Sequence, residues 1–412
     1  MISHNALPHE WSVYPLRRLL TKENRTPSTG SGVVTAYRDG AVTLRSLRRE
    51  AGYTFSDKEQ GYQGVKVGDL VFHALDGFAG AVGVSDSNGK CSPVYHVCSM
   101  VGNNDARFIS YTLRAMAFTG FLELQAGTVR QRSVDFRSWE TFARLPIPTP
   151  PPEEQRRIAD FLDAETPRID RLSGALQSSL NLLKERVSGI VDAELMKSAD
   201  EIIPLKYWAT FVDTEHKTAP HVPGGGYWIA GTSSVRGGNI TRQALYETDA
   251  ASYFEWTRRR RPRPGDVLLS REAPVGEVGL YRDTDPQIAI GQRMVLVTPD
   301  SRHLDPEYLM WSLLSNRVRE FYDLKTQGSL HPHLNMSDIG GIPIKRCNLS
   351  RQRAAAQHIG ASVALNRSLQ YSRGKMHDLL AERRQALITA AVTGQFDVTT
   401  ASGRNVTEGV TA

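Results

Sequence analysis

Apolar and polar residues alternate along this chain in two kinds of pattern. Residues 1–147 and 201–347 contain short apolar runs, such as Val267-Leu268-Leu269, bounded by Gly, Pro and Asp. Such runs are typical of β-strands between turns. Each stretch also contains one helical pattern, from Asp105 to Phe118 and from Pro306 to Tyr322. The pattern therefore predicts two mixed α+β domains.

A long helical pattern follows each α+β stretch. The first runs from residue 167 to about residue 198, and the pair Thr166-Pro167 is expected to separate it from a shorter helix before it. Its apolar residues, interrupted by Ser179 and Arg186, are Ile169, Leu172, Leu176, Leu183 and Ile190. The second runs from about Ser350 to Thr393 and carries Ile359, Val363, Met376, Leu379, Leu380, Leu387 and Ile388. Since each helix must bury its apolar stripe, the two are expected to pack against each other.

The two halves of the chain are copies of one sequence unit. Three motifs recur 197 residues further along: Gly68-Asp69 at Gly265-Asp266, Gln155-Arg156 at Gln352-Arg353, and Leu182-Leu183 at Leu379-Leu380. A repeat at a fixed period indicates a duplicated structural unit. We therefore expect a tandem duplication of an α+β domain followed by a helix.

The repeat and the patterns together predict the domain organisation. The fold class is α+β, with two tandem domains separated by two long helices packed as an antiparallel coiled coil. The expected segments are a first domain at 1–150, a central helical spacer at 151–200, a second domain at 201–347, a distal helical spacer at 348–398 and a flexible tail at 399–412.

Composition and charge narrow the class of protein. Hydrophobic residues at 40% and charged residues at 23% are ordinary for a folded globular chain. No apolar run approaches the roughly 18 residues of a membrane helix, and the first residues lack the order of a signal peptide, so we expect a cytoplasmic protein. The cysteines Cys91, Cys98 and Cys347 form no even framework, so disulfides are not expected. The net charge of +6 mildly favours polyanionic partners.

Motifs for catalysis or metal binding are weak. Residues 83–91 imitate a phosphate-binding loop, but five residues separate Gly83 from Gly89 where four are required. Cys91, His96 and Cys98 are close in sequence, yet a zinc site needs a fourth ligand or a second cysteine pair. We therefore expect no catalytic residue and no metal in this chain.

Two longer motifs resemble those of the specificity subunit of type I restriction-modification systems. The first is LPIPTPPPEEQRRIADFLD at 145–163, and the second is ERRQALITAAVTGQFD at 382–397. Residues 268–281, 289–300 and 324–344 look like that family's target-recognition pattern, and residues 124–136 look like the matching segment of the first half. The resemblance covers nearly the whole chain.

The resemblance implies a non-catalytic DNA specificity subunit of a type I restriction-modification complex. Each target-recognition domain would read one half of a bipartite, gapped site in double-stranded DNA, and the helices would set the gap. The helical regions would dock two modification subunits, which are adenine methyltransferases, and restriction subunits can be added. S-adenosylmethionine is then expected in the partner methyltransferase, and ATP and Mg in a partner restriction subunit. No cofactor is expected in this chain, and no membrane.

Polar loops hold the candidate DNA-binding residues, since Arg, Asn and Gln read base edges and Arg also contacts phosphates. Two clusters occupy corresponding places in the two halves: Thr128, Arg130, Gln131 and Arg132, and Gln327, Ser329, His331 and His333. The arginine run Arg258, Arg259, Arg260 and Arg261 suits phosphates, and Arg271, Gln292 and Arg293 complete the set. Because exposed loops are polar by default, each of these residues also fits an ordinary solvated position.

The start of each helical region holds the candidate partner-docking residues. In the first region, Ile158, Phe161 and Leu162 form one apolar face of the helix that follows the prolines. The docking set that the resemblance implies is Glu154, Gln155, Ile158, Phe161, Leu162, Gln352, Arg353 and Ile359. The second copy has lost the prolines, so the two docking surfaces are expected to differ.

Two other functions stay open at this point. A coiled-coil scaffold, whose α+β domains bind proteins rather than DNA, would show little salt dependence and no methylation pattern, and only the basic loops argue against it. A stand-alone nuclease or methyltransferase would need a metal-carboxylate or cofactor motif, which the sequence lacks.

Overall fold

The chain folds into two compact units. A computed structural model describes residues 7–48, 60–125, 135–198, 201–214, 217–328, 330 and 332–400. Unit 1 comprises Met1–Leu176 and Lys375–Ala412, and unit 2 comprises Gln177–Gly374. Each unit combines one α+β half with a section of both long helices. The units therefore cut across the segments expected from the sequence.

Unit 1 is built on a four-stranded antiparallel sheet with the order β2 (Leu20–Lys22), β9 (Tyr95–Met100), β6 (Leu70–His73) and β7 (Val82–Val84). The strands of this unit are β1 (Ser12–Pro15), β2 (Leu20–Lys22), β3 (Val34–Ala36), β4 (Val42–Leu44), β5 (Gln63–Val65), β6 (Leu70–His73), β7 (Val82–Val84), β8 (Gly89–Cys91), β9 (Tyr95–Met100) and β10 (Pro146–Thr149). Its short helices are α1 (Ala106–Phe118), α2 (Phe121–Gln125) and α3 (Trp139–Ala143). The helix predicted from Asp105 to Phe118 is thus confirmed, with Asp105 as its N-cap.

The main sheet of unit 1 is covered on both faces, which explains its uninterrupted apolar runs. On one face, Leu70 and Phe72 pack against α1 in a core cluster that includes Phe108. On the other face, Val71 and Val97 pack against the strands β3 and β4. A strand buried on both sides has no solvent-facing position, so the alternation of polar residues disappears.

Unit 2 repeats this plan, with a four-stranded antiparallel sheet of order β12 (Ala209–Asp213), β20 (Met294–Pro299), β17 (Val267–Ser270) and β18 (Val278–Leu280). Its strands are β11 (Glu201–Pro204), β12 (Ala209–Asp213), β13 (Tyr227–Ala230), β14 (Val235–Arg236), β15 (Asn239–Ile240), β16 (Tyr246–Thr248), β17 (Val267–Ser270), β18 (Val278–Leu280), β19 (Ile288–Ile290), β20 (Met294–Pro299) and β21 (Pro343–Arg346). The helices are α5 (Ala250–Trp256), α6 (Pro306–Leu313), α7 (Asn316–Thr326) and α8 (Met336–Gly340). The single helix predicted from Pro306 to Tyr322 is wrong, because Ser315 caps a new helix, α7.

The long helices are α4 (Pro152–Ser198) and α9 (Leu349–Val392), and they are antiparallel within each unit. In unit 2, Arg373 of α9 donates to Ser179 of α4. Further along α4, Glu194 pairs with His358, which lies 15 residues earlier on α9 than Arg373. The α+β fold class with two long, antiparallel helices is therefore confirmed.

Two details of the helical prediction are wrong. The expected break at Thr166-Pro167 does not occur, because α4 continues through Pro167. Leu162 and Ile169, on either side of Pro167, are buried in the core. Their packing keeps the chain helical although Pro167 has no N–H to donate. Three residues assigned to the apolar stripes are largely exposed: Leu172 at 52%, Met376 at 54% and Leu379 at 52%.

Candidate nucleic-acid interface

One end of the main sheet in unit 2 collects charged residues from three strands. Because β12, β20 and β17 are antiparallel neighbours, the last residue of β12, Asp213, and the residue after β17, Arg271, lie beside the start of β20. Arg271 donates from Nη1 to both carboxylate oxygens of Asp213, at 3.0 and 2.9 Å. Arg293, just before β20, pairs with Glu272 at 3.2 Å. We call these four residues the charged edge of unit 2.

Further predicted DNA-binding residues lie at the charged edge. Arg259 comes from the arginine run and donates from Nη1 to the backbone oxygen of Asp213 at 2.9 Å. His333 forms a β-bridge with Glu272. The backbone oxygen of Gln292 accepts at 3.2 Å from the hydroxyl of Thr214, the residue after Asp213. Unit 2 thus brings five predicted residues to one place: Arg259, Arg271, Gln292, Arg293 and His333.

The rest of the arginine run is divided among different contacts. Arg260 pairs at 2.9 Å with Asp266, whose side chain is only 3% exposed, so this arginine belongs to the internal structure of unit 2. Arg261 lies over the ring of Phe254 at 4.8 Å. Arg258 is exposed. Arg259 reaches the charged edge, whereas Arg260 is engaged with Asp266.

The predicted loop of unit 2 ends against this edge. Gln327 is exposed at the end of α7, while Ser329 and His331 lie outside the described residues. Beyond them, the N–H of Leu334 donates to the backbone oxygen of Arg271 at 2.9 Å. The end of the loop is therefore fastened to the backbone of the arginine whose guanidinium binds Asp213.

The predicted loop of unit 1 is fastened at the matching place. Its candidate residues, Thr128, Arg130, Gln131 and Arg132, lie outside the described residues. Just beyond them, the N–H of Phe136 donates at 2.9 Å to the backbone oxygen of Ala74, the residue after β6. Since β6 corresponds to β17, the two loops end at equivalent points of the two sheets.

Unit 1 presents different side chains at this end of its sheet. Lys22, the last residue of β2, lies over the ring of Trp139 at 5.9 Å. His96 donates from Nε2 to the backbone oxygen of Phe136 at 2.7 Å, and burial lowers the pKa of its ring. Neither Lys22 nor Trp139 was singled out from the sequence, because a lone lysine is indistinguishable there from any solvated lysine.

The repeated glutamines join each long helix to its own α+β half. Gln155 is fully buried, accepts the N–H of Asp105 at 2.9 Å and donates to two oxygens of unit 1 at 3.0 Å. Gln352 also makes three contacts in unit 2, accepting from the N–H of Asp305 at 2.8 Å and donating to two backbone oxygens at 2.8 Å, whereas one of the oxygens bound by Gln155 is the side-chain oxygen of Asn104. We call Gln155 and Gln352 the root glutamines.

Most of the predicted docking residues are buried within their own unit. Five of them lie inside their own unit and cannot reach a partner: Gln155, Ile158, Leu162, Gln352 and Ile359. Their apolar or amide groups are used to join helix and domain. Glu154 is half-buried, Phe161 is half-buried against Phe396 with ring centroids 5.6 Å apart, and Arg353 is 68% exposed. These three keep atoms on the surface.

Comparison with known proteins gives structural matches only. No family model and no curated protein matches the sequence. A chain solved in a study of complex assembly and conformational transition of the type I R-M system is 16% identical, with a TM-score of 0.72 over 95% of this chain and 99% of that chain. The HsdS subunit from Thermoanaerobacter tengcongensis is 17% identical, with a TM-score of 0.56 over 95% of this chain and 98% of that subunit. The chain has the fold of a type I specificity subunit.

The cysteines of this specificity-subunit fold are buried and free. Cys91 and Cys98 belong to core clusters on opposite faces of the unit 1 sheet, and burial raises the pKa of Cys91 to about 12. Across the described part of the chain, no three His, Cys, Asp or Glu side chains are grouped so that they could hold a metal ion. No helix in that part is long and apolar enough to cross a membrane.

Proposed function

We propose that this protein is the non-catalytic DNA specificity subunit of a type I restriction-modification complex. The observation that carries the proposal is a duplicated attachment: in both units, a residue just after the predicted recognition segment donates its N–H to the residue that follows one inner strand of the main sheet, β6 or β17. Two copies of one recognition surface suit a bipartite target. The shared fold with the HsdS subunit is in keeping with this proposal.

In unit 2, the charged edge supplies the chemistry for reading duplex DNA. Arg293 is 57% exposed, and its ion pair with Glu272 is of the surface kind, which contributes little to stability and exchanges readily. Arginine pairs with two acceptors of guanine or with a phosphate. Arg271 is 12% exposed and held by Asp213, so it has a fixed direction. We assign base contact to Arg293 and a positioning role to Arg271.

In unit 1, the residues assigned to DNA are those of its loop, Thr128, Arg130, Gln131 and Arg132, because this loop is fastened at the point equivalent to the charged edge. Lys22 and Trp139 lie at the same end of the sheet and add a cation and an aromatic surface. The two sheet ends carry different side chains. The two half-sites should therefore differ in sequence.

The long helices would set the gap between the half-sites and dock the partners. The root glutamines fix each long helix to its own recognition domain. The gap between the half-sites therefore depends on the length of the helix that follows each glutamine. Exposed apolar side chains on the helices, such as Leu182 at 67% and Leu365 at 65%, suit protein partners. We propose two adenine-methylating modification subunits, which bring S-adenosylmethionine. Restriction subunits with ATP and Mg can join this complex.

The deciding experiment is single-molecule sequencing of adenine methylation in cells with and without this gene. The neighbouring genes stay intact. Loss of one gapped, two-part methylation motif together with the gene is the expected result, and the motif then gives the target. If no motif changes in a strain whose methyltransferase is shown to be active, the protein is better described as a coiled-coil scaffold that binds proteins.

A further inference from the structure

The C-terminal end of α5 carries an exposed pairing of an arginine with an aromatic ring. The guanidinium carbon of Arg261 lies 4.8 Å from the ring centroid of Phe254, which is 46% exposed. The ring centroids of Tyr253 and Tyr227 lie 5.5 and 6.0 Å from that of Phe254, so neighbouring rings hold Phe254 in place. Arg258, the residue after the C-cap of α5, is also exposed. We call Phe254, Arg258 and Arg261 the α5 corner.

Stacking on a ring leaves the hydrogen-bonding groups of an arginine available. A cation–π contact uses the face of the guanidinium, whereas its N–H groups point outward in the plane. Arg261 can therefore donate to two oxygens of one phosphate group while its face stays on Phe254. Because the ring restricts the side chain in advance, less conformational freedom is lost when an anion binds.

The α5 corner lies beside the charged edge. Arg259 stands between the two arginines of the corner and donates at 2.9 Å to the backbone oxygen of the last residue of β12. Glu255 of α5 pairs with Lys217 at 3.9 Å, and the next residue, Thr218, donates to the side chain of Gln292 at 3.1 Å. The backbone of a duplex that is read at the charged edge therefore passes next to the corner.

The duplicated unit shows that the fold does not need the arginines of the corner. Asp69 and Asp266 are buried at the same position of the two units, and each is bound by an arginine, Arg25 in unit 1 and Arg260 in unit 2. The positions that correspond to the arginine run, 197 residues earlier, carry no charge: Gly61, Tyr62, Gln63 and Gly64. Since unit 1 holds its buried aspartate without such a run, the exposed arginines of unit 2 serve another purpose.

We propose that the α5 corner binds phosphates of the DNA backbone beside the half-site of unit 2, as a one-sided anchor. Arg258 and Arg261 supply the charge, and Phe254 positions Arg261. Phosphates are the same at every base pair, so this contact adds affinity without adding sequence information. The inference rests on the proposed function and adds a contact outside the residues assigned to base reading.

Salt-dependent DNA binding by the full-length protein tests the corner. The wild type, the corner variant Arg258→Gln/Arg261→Gln and the control Arg346→Gln/Arg353→Gln are titrated with a labelled duplex at a series of salt concentrations. The control removes two arginines of unit 2 that are 57% and 68% exposed. Each phosphate contact adds about 0.9 to the slope of log affinity against log salt, so the corner variant should lose about 1.8. The control should keep the slope of the wild type.

Phe254→Leu separates positioning from charge. It keeps an apolar side chain beside Tyr227 and Tyr253 and leaves every arginine, but it removes the ring under Arg261. Affinity for the duplex should fall about twofold to fivefold, the equivalent of one exposed cation–π contact, while the salt slope stays that of the wild type. Equal affinity of Phe254→Leu and the wild type would overturn the positioning role of the ring.

Methylation in cells gives a second readout. Because phosphate contacts carry no sequence information, the corner variant should methylate the same motif at a smaller fraction of its sites. The proposal is overturned if one half-site changes, since the arginines then read bases. It is also overturned if methylation falls while the salt slope of DNA binding is unchanged, since the corner then contacts a protein partner.

This inference and the proposed function can fail separately. If a methylation motif depends on the gene but the corner variant and the control have the same salt slope, the corner alone is overturned. Absence of duplex binding by the wild type at low salt overturns the corner as well. If no motif depends on the gene, the proposed function fails whatever the salt slope is.

Discussion

At the residue scale, a buried aspartate occurs at the same position of both units and is bound by a different arginine in each. Asp69 is bound by Arg25, whereas its repeat, Asp266, is bound by Arg260 from a different part of the chain. Both aspartates are almost fully buried and need a cation. Arg260 is therefore required in the interior of unit 2. Nothing in the run of four arginines distinguishes it from its neighbours.

The root glutamine Gln352 should be essential for the stability of unit 2. Gln352→Ala leaves the N–H of Asp305 and two backbone oxygens without their partner, and each buried unsatisfied group costs about 1–3 kcal/mol. We expect a loss of about 3 kcal/mol or more in the free energy of unfolding, measured by urea denaturation.

Its neighbour provides the control for this change. Arg353 is 68% exposed, so Arg353→Ala should change the free energy by less than about 0.5 kcal/mol. Equal effects of the two substitutions would contradict the role given to the root glutamine.

Arg293 should determine affinity for one half-site. Arg293→Gln removes the exposed cation of the charged edge, and loss of a base contact costs about 1–3 kcal/mol, roughly fivefold to 150-fold in Kd. The measurement is DNA binding by the assembled complex at several salt concentrations. A changed preference at one base position indicates base contact, while a salt slope reduced by about 0.9 indicates phosphate contact.

Arg302→Gln is the matched control. Like Arg293, Arg302 is an exposed arginine of unit 2 that pairs with a carboxylate, Asp300, but it does not belong to the charged edge. It should leave both affinity and salt slope as they are. If the two variants behave alike, the charged edge is not the reading surface.

At the element scale, the contact seam of α9 is largely polar. Its buried and half-buried residues recur at spacings of four and three: Ile359, Val363, Asn366, Gln370, Arg373, His377, Leu380 and Arg384. The partner helix supplies acceptors to some of them, as Ser179 does for Arg373 and Asp170 for Arg384. The apolar pattern of the sequence therefore assigned Met376 and Leu379 to the buried stripe, although both are exposed. The bounds of α9 were predicted well and α4 was predicted to begin at residue 167 instead of Pro152, whereas the residues that face each other depend on the opposite helix.

Replacing the proline inside α4 should stabilise unit 1. Pro167 lacks the N–H that the helix would use, and an interior proline costs about 3 kcal/mol relative to alanine, offset in part by the more restricted unfolded chain. We expect Pro167→Ala to raise the free energy of unfolding by about 2 kcal/mol. Pro152→Ala, at the first position of the same helix, should change little, because no partner exists for that N–H. A destabilised Pro167→Ala would mean that a bend at this point is needed.

At the scale of the whole molecule, each long helix contributes to the cores of both units. The core of unit 1 includes Ile169 of α4 and Leu387 of α9, and the core of unit 2 includes Val191 of α4 and Ile359 of α9. The number of residues between these anchors is therefore fixed in both helices. This arrangement underlies the proposed control of the DNA gap.

Shortening both helices by one heptad should shorten the gap of the target. Residues 173–179 and 373–379 lie opposite each other around the contact between Ser179 and Arg373. Removing both segments shortens each helix by about 10 Å, which corresponds to about three base pairs. Sequencing of adenine methylation should report the same two half-sites with a spacer about three base pairs shorter.

Removal of only one segment is the control for the pair. A single deletion leaves the two helices unequal in length, so the contacts between the helices on the two sides of the deletion cannot form at the same time. Methylation at a defined gapped site should therefore be lost. An unchanged spacer in the double deletion would disprove the role of the helices as a ruler.

The sequence by itself determined the duplication, the α+β character of both halves and the two long helices. These follow from local periodicity and from repeated motifs, which are properties of the chain. Only the tertiary structure decided which predicted residues are accessible: it buries Gln155 and Ile158, uses Arg260 for Asp266, and gathers Arg259 and Arg293 at one sheet end. Burial and pairing depend on residues distant in sequence, and no local pattern contains that information.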